Sequence, residues 1–198
     1  HGLIVERGME GFSTPETHNK WSLRASATGE LIFDNVKVPK ENRIGADGFG
    51  FTFAMKTLNG GRIGIGSQAL GIASGALELS IAYAKERKAF GKEIANHQAI
   101  QFKIAEMGMK VEAARLLCLK AAFLKDTKQD YSHASAIAKL YASDIAMENA
   151  IEAVQIHGGY GFVKEYHVER LMRDAKITQI YEGTSEIQKI VISRGLLK

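Results

Sequence analysis

The hydrophobic pattern divides the chain into an irregular first part and a helical remainder. Residues 30–38 are rich in β-branched and aromatic residues and end before Pro39, which predicts a strand broken at Asp34 and Asn35. Residues 3–5 predict a second strand. Two or three short strands do not form an independently stable sheet. We therefore expect residues 1–47 to be the C-terminal strands of an incomplete β domain.

From about residue 49 the apolar positions recur every three or four residues, which is the period of an α-helix. Three long helices are marked by these sets: Leu70, Ala73, Leu77 and Ile81; Ile104, Met107, Val111 and Ala114; Ile137, Tyr141 and Ile145. Ser132 is the expected cap of the third helix. A short helical turn is predicted at 165–173 and a last helix at 186–197. The predicted fold is mainly α, with an antiparallel four-helix bundle over residues 48–198 after the β remnant.

Composition excludes several classes of protein. The net charge is +4, with 26 Lys and Arg spread among 22 acids, so no nucleic-acid-binding arm is expected. The single cysteine, Cys118, allows no internal disulfide and fits a reducing compartment. No apolar run is long enough to cross a bilayer, so no membrane association is expected. His157 and His167 do not have metal-ligand spacing, and we expect no metal.

A glycine-rich segment, residues 60–71, needs an explanation because glycine weakens a helix by roughly 1 kcal/mol relative to alanine. Gly64, Gly66 and Ala69 formally match a dinucleotide-binding fingerprint, but the preceding residues predict a helix and not the required strand. The glycines therefore indicate close contact either with another helix or with a bound ligand. Arg62, the one charge in the segment, needs a partner under both interpretations.

Two further segments have ordinary structural explanations. Cations at 85–88 complement the C-terminal dipole of the first long helix, and Phe90 with Gly91 supplies a stop signal. At 155–161 the sequence QIHGGYG ends the third helix with three glycines, although one would suffice for a C-cap. The additional glycines would let the backbone approach a flat or charged ligand.

Two carboxylates stand four residues apart in QIYEGTSEIQ, residues 179–188. Ser185 and Gln188 fit a capping box, so Glu186 falls in the first turn of the last helix, where the dipole favours an acid. Glu182 precedes the cap, on a turn beside Gly183, and has no such structural reason. A carboxylate held near a helix N-terminus in apolar surroundings can act as a general base. Glu182 is therefore the predicted catalytic acid–base group.

Four motifs in register identify a resemblance: RKAFG at 87–91, HQ at 97–98, QIHGG at 155–159 and YEGTS at 181–185. Together they resemble the C-terminal half of an acyl-CoA dehydrogenase of the short-chain, butyryl-CoA type. The resemblance implies an enzyme of fatty acid β-oxidation, a flavoprotein oxidoreductase that converts a short- or medium-chain acyl-CoA to its trans-2-enoyl form. It assigns removal of the α proton to Glu182, while hydride passes to FAD.

The resemblance also implies which residues bind. Cofactor contacts are implied for Arg87, Phe90, Gln98, Gln155, Ile156, Gly158, Gly159, Thr184, Ser185 and Glu186, the first seven from a neighbouring subunit. Substrate contacts are implied for Asn59, Arg62, Tyr181, Gly183 and Arg194. The family often has Asp where this chain has Asn59, and some members carry the base at the position of Gly61, where glycine cannot abstract a proton. The Glu182 N–H, with a flavin hydroxyl, is expected to hold the thioester oxygen.

The implied partners are an acyl-CoA, an electron-transfer flavoprotein and further copies of the chain in a homotetramer, a dimer of dimers. The implied location is the bacterial cytoplasm or the mitochondrial matrix. Because the family's N-terminal helical domain and the first part of its β domain have no match here, this chain alone is expected to bind flavin weakly or not at all. The alternatives are an acyl-CoA oxidase-like flavoprotein and a non-catalytic, nucleic-acid-binding member of the family.

Overall fold

The computed structural model describes residues 1–197 and contains two compact units, His1–Leu58 and a second that begins at Asn59. The first unit holds four short strands: β1 Gly2–Leu3, β2 Phe12–Ser13, β3 Ile32–Phe33 and β4 Arg43–Ile44. β1 pairs with β4 and β2 with β3, both antiparallel. The predicted domain boundary after residue 47 stays a prediction.

The predicted strand at 30–38 is wrong in length. Only Ile32–Phe33 forms a ladder, and it is fixed by stacking of the Phe12 and Phe33 rings at 5.1 Å. Asn35 adopts a left-handed φ of 52°, which an extended strand does not tolerate. The strand therefore ends at the point where the sequence predicted a break.

Five α-helices form most of residues 50–197, and a hairpin of two short strands connects the first two helices. The elements are α1 Gly50–Glu86, β5 Lys88–Ala89, β6 Lys92–Glu93, α2 Gln98–Asp126, α3 Ser132–His157, α4 Val168–Thr178 and α5 Ser185–Leu196. The short helix predicted at 165–173 is thus a longer helix that starts and ends later. No helix among residues 1–197 has the length and apolarity needed to cross a membrane.

Contacts between the helices confirm an antiparallel four-helix bundle. The ion pairs Lys103–Glu152 and Lys110–Glu148 show that α2 and α3 run in opposite directions, since residue numbers rise on one helix as they fall on the other. α4 and α5 follow each other along α3, again antiparallel to it: Gln179 bonds Asp144 at 2.8 Å near the end of α4, and Gly195 lies against His133 near the end of α5. Together these two helices form the fourth side of the bundle.

The centre of the bundle is built mainly from small residues. Fully buried alanines from all of the long helices and α4 form it: Ala69, Ala73, Ala114, Ala121, Ala138, Ala142, Ala146, Ala150 and Ala175. Small side chains allow close helix approach, and Gly66 shows how close. A Cβ added there would lie 3.4 Å from both Cys118 Sγ and the backbone nitrogen of Lys139. Helix packing therefore explains Gly66, and burial in this packing raises the pKa of the Cys118 thiol.

Helix starts differ from the sequence prediction. Ser132 is not the cap of α3: its backbone N–H donates to Asp130 Oδ1 at 2.9 Å, so the carboxylate two residues earlier satisfies the helix start. α5 begins at Ser185, and its cap is Thr184 instead of the predicted Ser185, with the Thr184 side chain accepting from the Ile187 N–H. Gln188 does not complete a capping box, because its side chain donates to two carbonyl groups of the preceding turn.

Candidate active site

The turn between α4 and α5 carries Glu182 in an unusual backbone conformation. Glu182 has a φ of 54° and the following Gly183 a φ of 88°. The left-handed region is natural for glycine, but for a non-glycine residue it costs about 1–3 kcal/mol and persists only where the surroundings impose it. Such outliers concentrate at functional sites, and this one falls on the residue that the sequence predicts as the base.

Three hydrogen bonds from two buried side chains impose this turn. Lys139 Nζ donates to the Gly183 carbonyl at 2.8 Å, and Gln188 Nε2 donates to the carbonyls of Gly183 at 2.8 Å and Glu182 at 3.1 Å. Lys139 and Gln188 are both 0% exposed. The Ser185 N–H closes the turn from the other side by donating to the Gln179 carbonyl at 3.0 Å.

The carboxylate of Glu182 lies directly over Gly61 of α1. A Cβ added at Gly61 would be 2.5 Å from Oε2 of Glu182, closer than non-bonded carbon and oxygen approach. Glu182 is half-buried in this position. Of the two interpretations of the glycine-rich segment, helix packing holds for Gly66, whereas Gly61 makes room for a functional side chain.

Arg62 is the charged group beside this carboxylate. It is 6% exposed, and its Nη1 donates to Asn59 Oδ1 at 2.8 Å. Burial lowers the pKa of Arg62, and the negative charge of Glu182 opposes that effect. Its Nε is buried with no hydrogen-bond partner among the described residues. Asn59 thus supports Arg62 within the site.

Two more groups of the turn face the same region. The Tyr181 hydroxyl donates to Gln68 Oε1 on α1, which fixes the ring, and burial raises the pKa of this phenol. Among residues 1–197, the Glu182 N–H donates to no backbone carbonyl. The turn therefore presents a carboxylate and, from the same residue, an N–H that takes no part in backbone pairing within residues 1–197.

The start of α5 offers a further unsatisfied group. Ser185 Oγ is buried and has no partner among the described residues. Glu186 is exposed, and hydrogen bonds from its own N–H and from the Thr184 hydroxyl lower the pKa of its carboxyl group. Glu186 and Thr184 thus satisfy the helix start, whereas the buried Ser185 hydroxyl takes no part in it.

The other predicted cofactor residues lie at the opposite end of the bundle. The Tyr83 and His157 rings stack at 4.2 Å and join the ends of α1 and α3, and the Arg87 guanidinium lies 5.6 Å from the Tyr160 ring centre. Burial lowers the pKa of His157, which favours a neutral ring in this stack. Arg87 therefore stands close to the glycine-rich end of α3.

The other predicted cofactor residues at the Arg87 end of the bundle differ in exposure. Gln98, Gln155, Gly158 and Gly159 are exposed, and a Cβ added at either glycine would meet nothing within 4 Å. Ile156 is buried within α3. Phe90 is 96% exposed with a φ of 52°, and with Gly91 it forms the turn of the β5–β6 hairpin. Its predicted role as a helix stop is wrong, because α1 already ends at Glu86.

The predicted site residues thus form two separate groups, one at the Glu182 turn and one around Arg87. The stretch of α1 from Gly61 to Glu86 rises roughly 37 Å, so the Glu182 turn and the Arg87 group lie at opposite ends. Arg194 belongs to neither group: it is exposed in the last turn of α5, about 14 Å along the helix from Ser185. No group of three His, Cys, Asp or Glu side chains among residues 1–197 is arranged to hold a metal.

Sequence reasoning missed Lys139 and misassigned Gln188. Lys139 stands among Ala136, Ala138 and Ala142 on the buried side of α3, and a lysine in that setting is the signal that could have identified it. Gln188 was assigned to a capping box by spacing. Both residues act through backbone carbonyl groups, which sequence motifs do not reveal.

Known proteins are similar to this chain over nearly all of its length. A family model described as acyl-CoA dehydrogenase, C-terminal domain, matches residues 48–197. The short-chain specific acyl-CoA dehydrogenase of Clostridium acetobutylicum is 53% identical over 196 residues, which is 99% of this chain and 52% of that protein. Subunit CarC of the caffeyl-CoA reductase–Etf complex of Acetobacterium woodii is also 53% identical, with 99% and 52% covered.

A solved structure has the same fold as this chain. Butyryl-CoA dehydrogenase from Megasphaera elsdenii superposes with a TM-score of 0.97 at 51% identity, covering 99% of this chain and 51% of that one. The chain thus spans about half the length of the relatives it matches. Over that span, the chain belongs to the acyl-CoA dehydrogenase family.

Proposed function

We propose that the protein catalyses FAD-dependent α,β-dehydrogenation of a short- or medium-chain acyl-CoA to the trans-2-enoyl-CoA, and that this chain carries the catalytic base. The observation that supports this most is the left-handed Glu182 turn, which presents a carboxylate and an unpaired N–H together. Two of the three relatives described above are named for short-chain acyl-CoA or butyryl-CoA, which supports the short-chain substrate class.

The Glu182 carboxylate and N–H are suited to the proton that is removed in this reaction and to the negative charge that develops. The Glu182 carboxylate accepts the proton from the carbon next to the thioester carbonyl. As the proton leaves, negative charge develops on the thioester oxygen, and the Glu182 N–H donates a hydrogen bond to that oxygen. Arg62 is the neighbouring cation, and its charge interacts with that of the Glu182 carboxylate.

The residues at both ends of the bundle fit FAD. Ser185 offers a buried, unpartnered hydroxyl beside the first turn of α5, and helix N-termini suit phosphates and nucleotides. Arg87 supplies a positive charge for the pyrophosphate, and Gly158 and Gly159 leave open space for a close approach. When bound, FAD supplies the acceptor for the hydride that leaves the β carbon.

A homo-oligomer would let one flavin use both groups of residues. The roughly 37 Å between the groups exceeds the reach of one dinucleotide, so the Arg87 group would serve the flavin of a neighbouring copy. An exposed apolar stripe on α2 supports association of copies. Its members are Phe102, Met109, Leu116, Leu119 and Phe123, all more than half exposed. Their spacing of three, four and seven residues is that of a helix–helix seam.

We also infer an electron-transfer flavoprotein as redox partner, in the bacterial cytoplasm or the mitochondrial matrix. The CarC relative is named as a subunit of an Etf complex, which supports this partner class. The same relative is named a reductase, which favours the reverse reaction as a second candidate function. In that direction Glu182 would return the proton to the α carbon, with the same geometry.

Replacing Glu182 with Gln tests the assignment of the base. Glu182→Gln in the intact protein should keep its flavin and reduce flavin bleaching by butyryl-CoA by about 10²–10⁴-fold, because the amide cannot accept the proton. Stopped-flow absorbance measures the rate. Glu78→Gln, an exposed acid on α1, is the control and should leave the rate unchanged. Native bleaching in the Glu182 variant would rule out this base.

Adding a methyl group at Gly61 tests the position of the carboxylate. Gly61→Ala should slow bleaching at least about tenfold, since the new Cβ would occupy the space of Glu182 Oε2 and displace the group that takes the proton. The matched control is Gly64→Ala on the same helix, where a Cβ meets nothing within 4 Å. Equal rates in the two variants would show that the carboxylate does not need this position.

Placing charge in the α2 stripe tests the association of copies. Leu116→Asp should shift the protein to a smaller species in analytical ultracentrifugation and lower its flavin content, because an apolar seam does not accommodate an unpaired carboxylate. Gln129→Lys, exposed in the loop after α2, should leave both unchanged. A Leu116 variant of native size and flavin content would contradict the use of this stripe.

A further inference from the structure

Lys139 is the largest fully buried side chain of the described residues. Packing alone does not explain why a charged side chain occupies this position. It is 0% exposed among alanines of α3, where an apolar side chain of similar length would fit the surroundings. Removing an ammonium group from water carries a large free-energy penalty that one hydrogen bond does not fully offset. Burial accordingly lowers the pKa of Lys139 from its ordinary value.

The Lys139 ammonium group donates a hydrogen bond to a single backbone atom of the turn. Its Nζ and Gln188 Nε2 each lie 2.8 Å from the Gly183 carbonyl oxygen, so both lone pairs of that oxygen are used. Gln188 also holds the Glu182 carbonyl. Two adjacent peptide groups are thereby fixed from inside the bundle, while the Glu182 carboxylate lies against Gly61 of α1.

Charges from three helices surround the same ammonium group. Arg62 on α1 is the neighbouring cation, Glu186 on α5 and Asp144 on α3 are neighbouring anions, and Glu182 lies on the turn itself. Lys139 therefore acts on Glu182 in two ways: through the backbone it holds, and through the field of its positive charge.

We propose that Lys139 is the positioning residue for the base, with Gln188 as its second support, and that it holds the left-handed Glu182–Gly183 turn in its reactive geometry. This inference rests on the proposed function of Glu182. It goes beyond it by assigning a role to a residue that touches neither substrate nor flavin.

The test compares Lys139→Met with Met107→Ala, a core truncation on α2 that lowers stability without touching the turn. Both are made in the intact, FAD-loaded protein and assayed with butyryl-CoA. In Lys139→Met, kcat should fall about tenfold to a hundredfold while KM changes less than about threefold, because a charge-assisted hydrogen bond is lost but no substrate contact is. The control should keep kcat within about twofold.

A further readout separates positioning from general loss of stability. Amide hydrogen exchange over residues 179–186 should become at least about tenfold faster than in Met107→Ala, because the turn opens locally. The exchange measurement does not depend on activity.

Two more variants, Gln188→Met and Glu182→Gln, are included. If Lys139→Met does not fold, the same measurements are made on Gln188→Met. If neither Lys139→Met nor Gln188→Met folds while Met107→Ala does, the proposal is overturned in favour of a purely structural role. Native kcat and exchange in Lys139→Met would also overturn it. Full activity of Glu182→Gln would instead reject the proposed base, and the exchange result would still decide whether Lys139 holds the turn.

Discussion

The structure depends on one interaction, the convergence of Lys139 and Gln188 on the carbonyl groups of Glu182 and Gly183. A non-glycine residue at a φ of 54° is strained and needs external support. The support comes from the inside of the bundle, and it holds the turn with the Glu182 carboxylate against Gly61 of α1. A base and an oxyanion donor on one residue is the simplest way to handle a proton and the charge it leaves behind.

The small-residue packing of the bundle makes this arrangement possible. Alanines and Gly66 bring α1, α2 and α3 close together, so that α1 can present Gly61 directly beneath the carboxylate. Glycine at these two positions serves different purposes: Gly66 lets helices touch, and Gly61 leaves space for the Glu182 carboxylate. The two ends of the bundle carry different groups, with the Glu182 turn at one end and the Arg87 group at the other.

Sequence reasoning identified the helices because their apolar periods are long, and it chose Glu182 over Glu186 because only Glu186 has a structural reason to be acidic. The structure agrees that Glu186 satisfies its own helix start. Lys139 could not be recognised in the same way, since the burial of a lysine is decided by tertiary contacts. The shortened strand at Ile32–Phe33 has a similar cause, because a left-handed Asn35 is not visible in a β-rich pattern.

A crystal structure of the intact protein with FAD and an unreactive acyl-CoA analogue tests the central claim most directly. The account predicts a Glu182 carboxylate oxygen about 3–3.5 Å from the α carbon, and the Glu182 nitrogen about 2.7–3.1 Å from the thioester oxygen. A thioester bound elsewhere, or a Glu182 N–H engaged by another protein group in the complex, would contradict it.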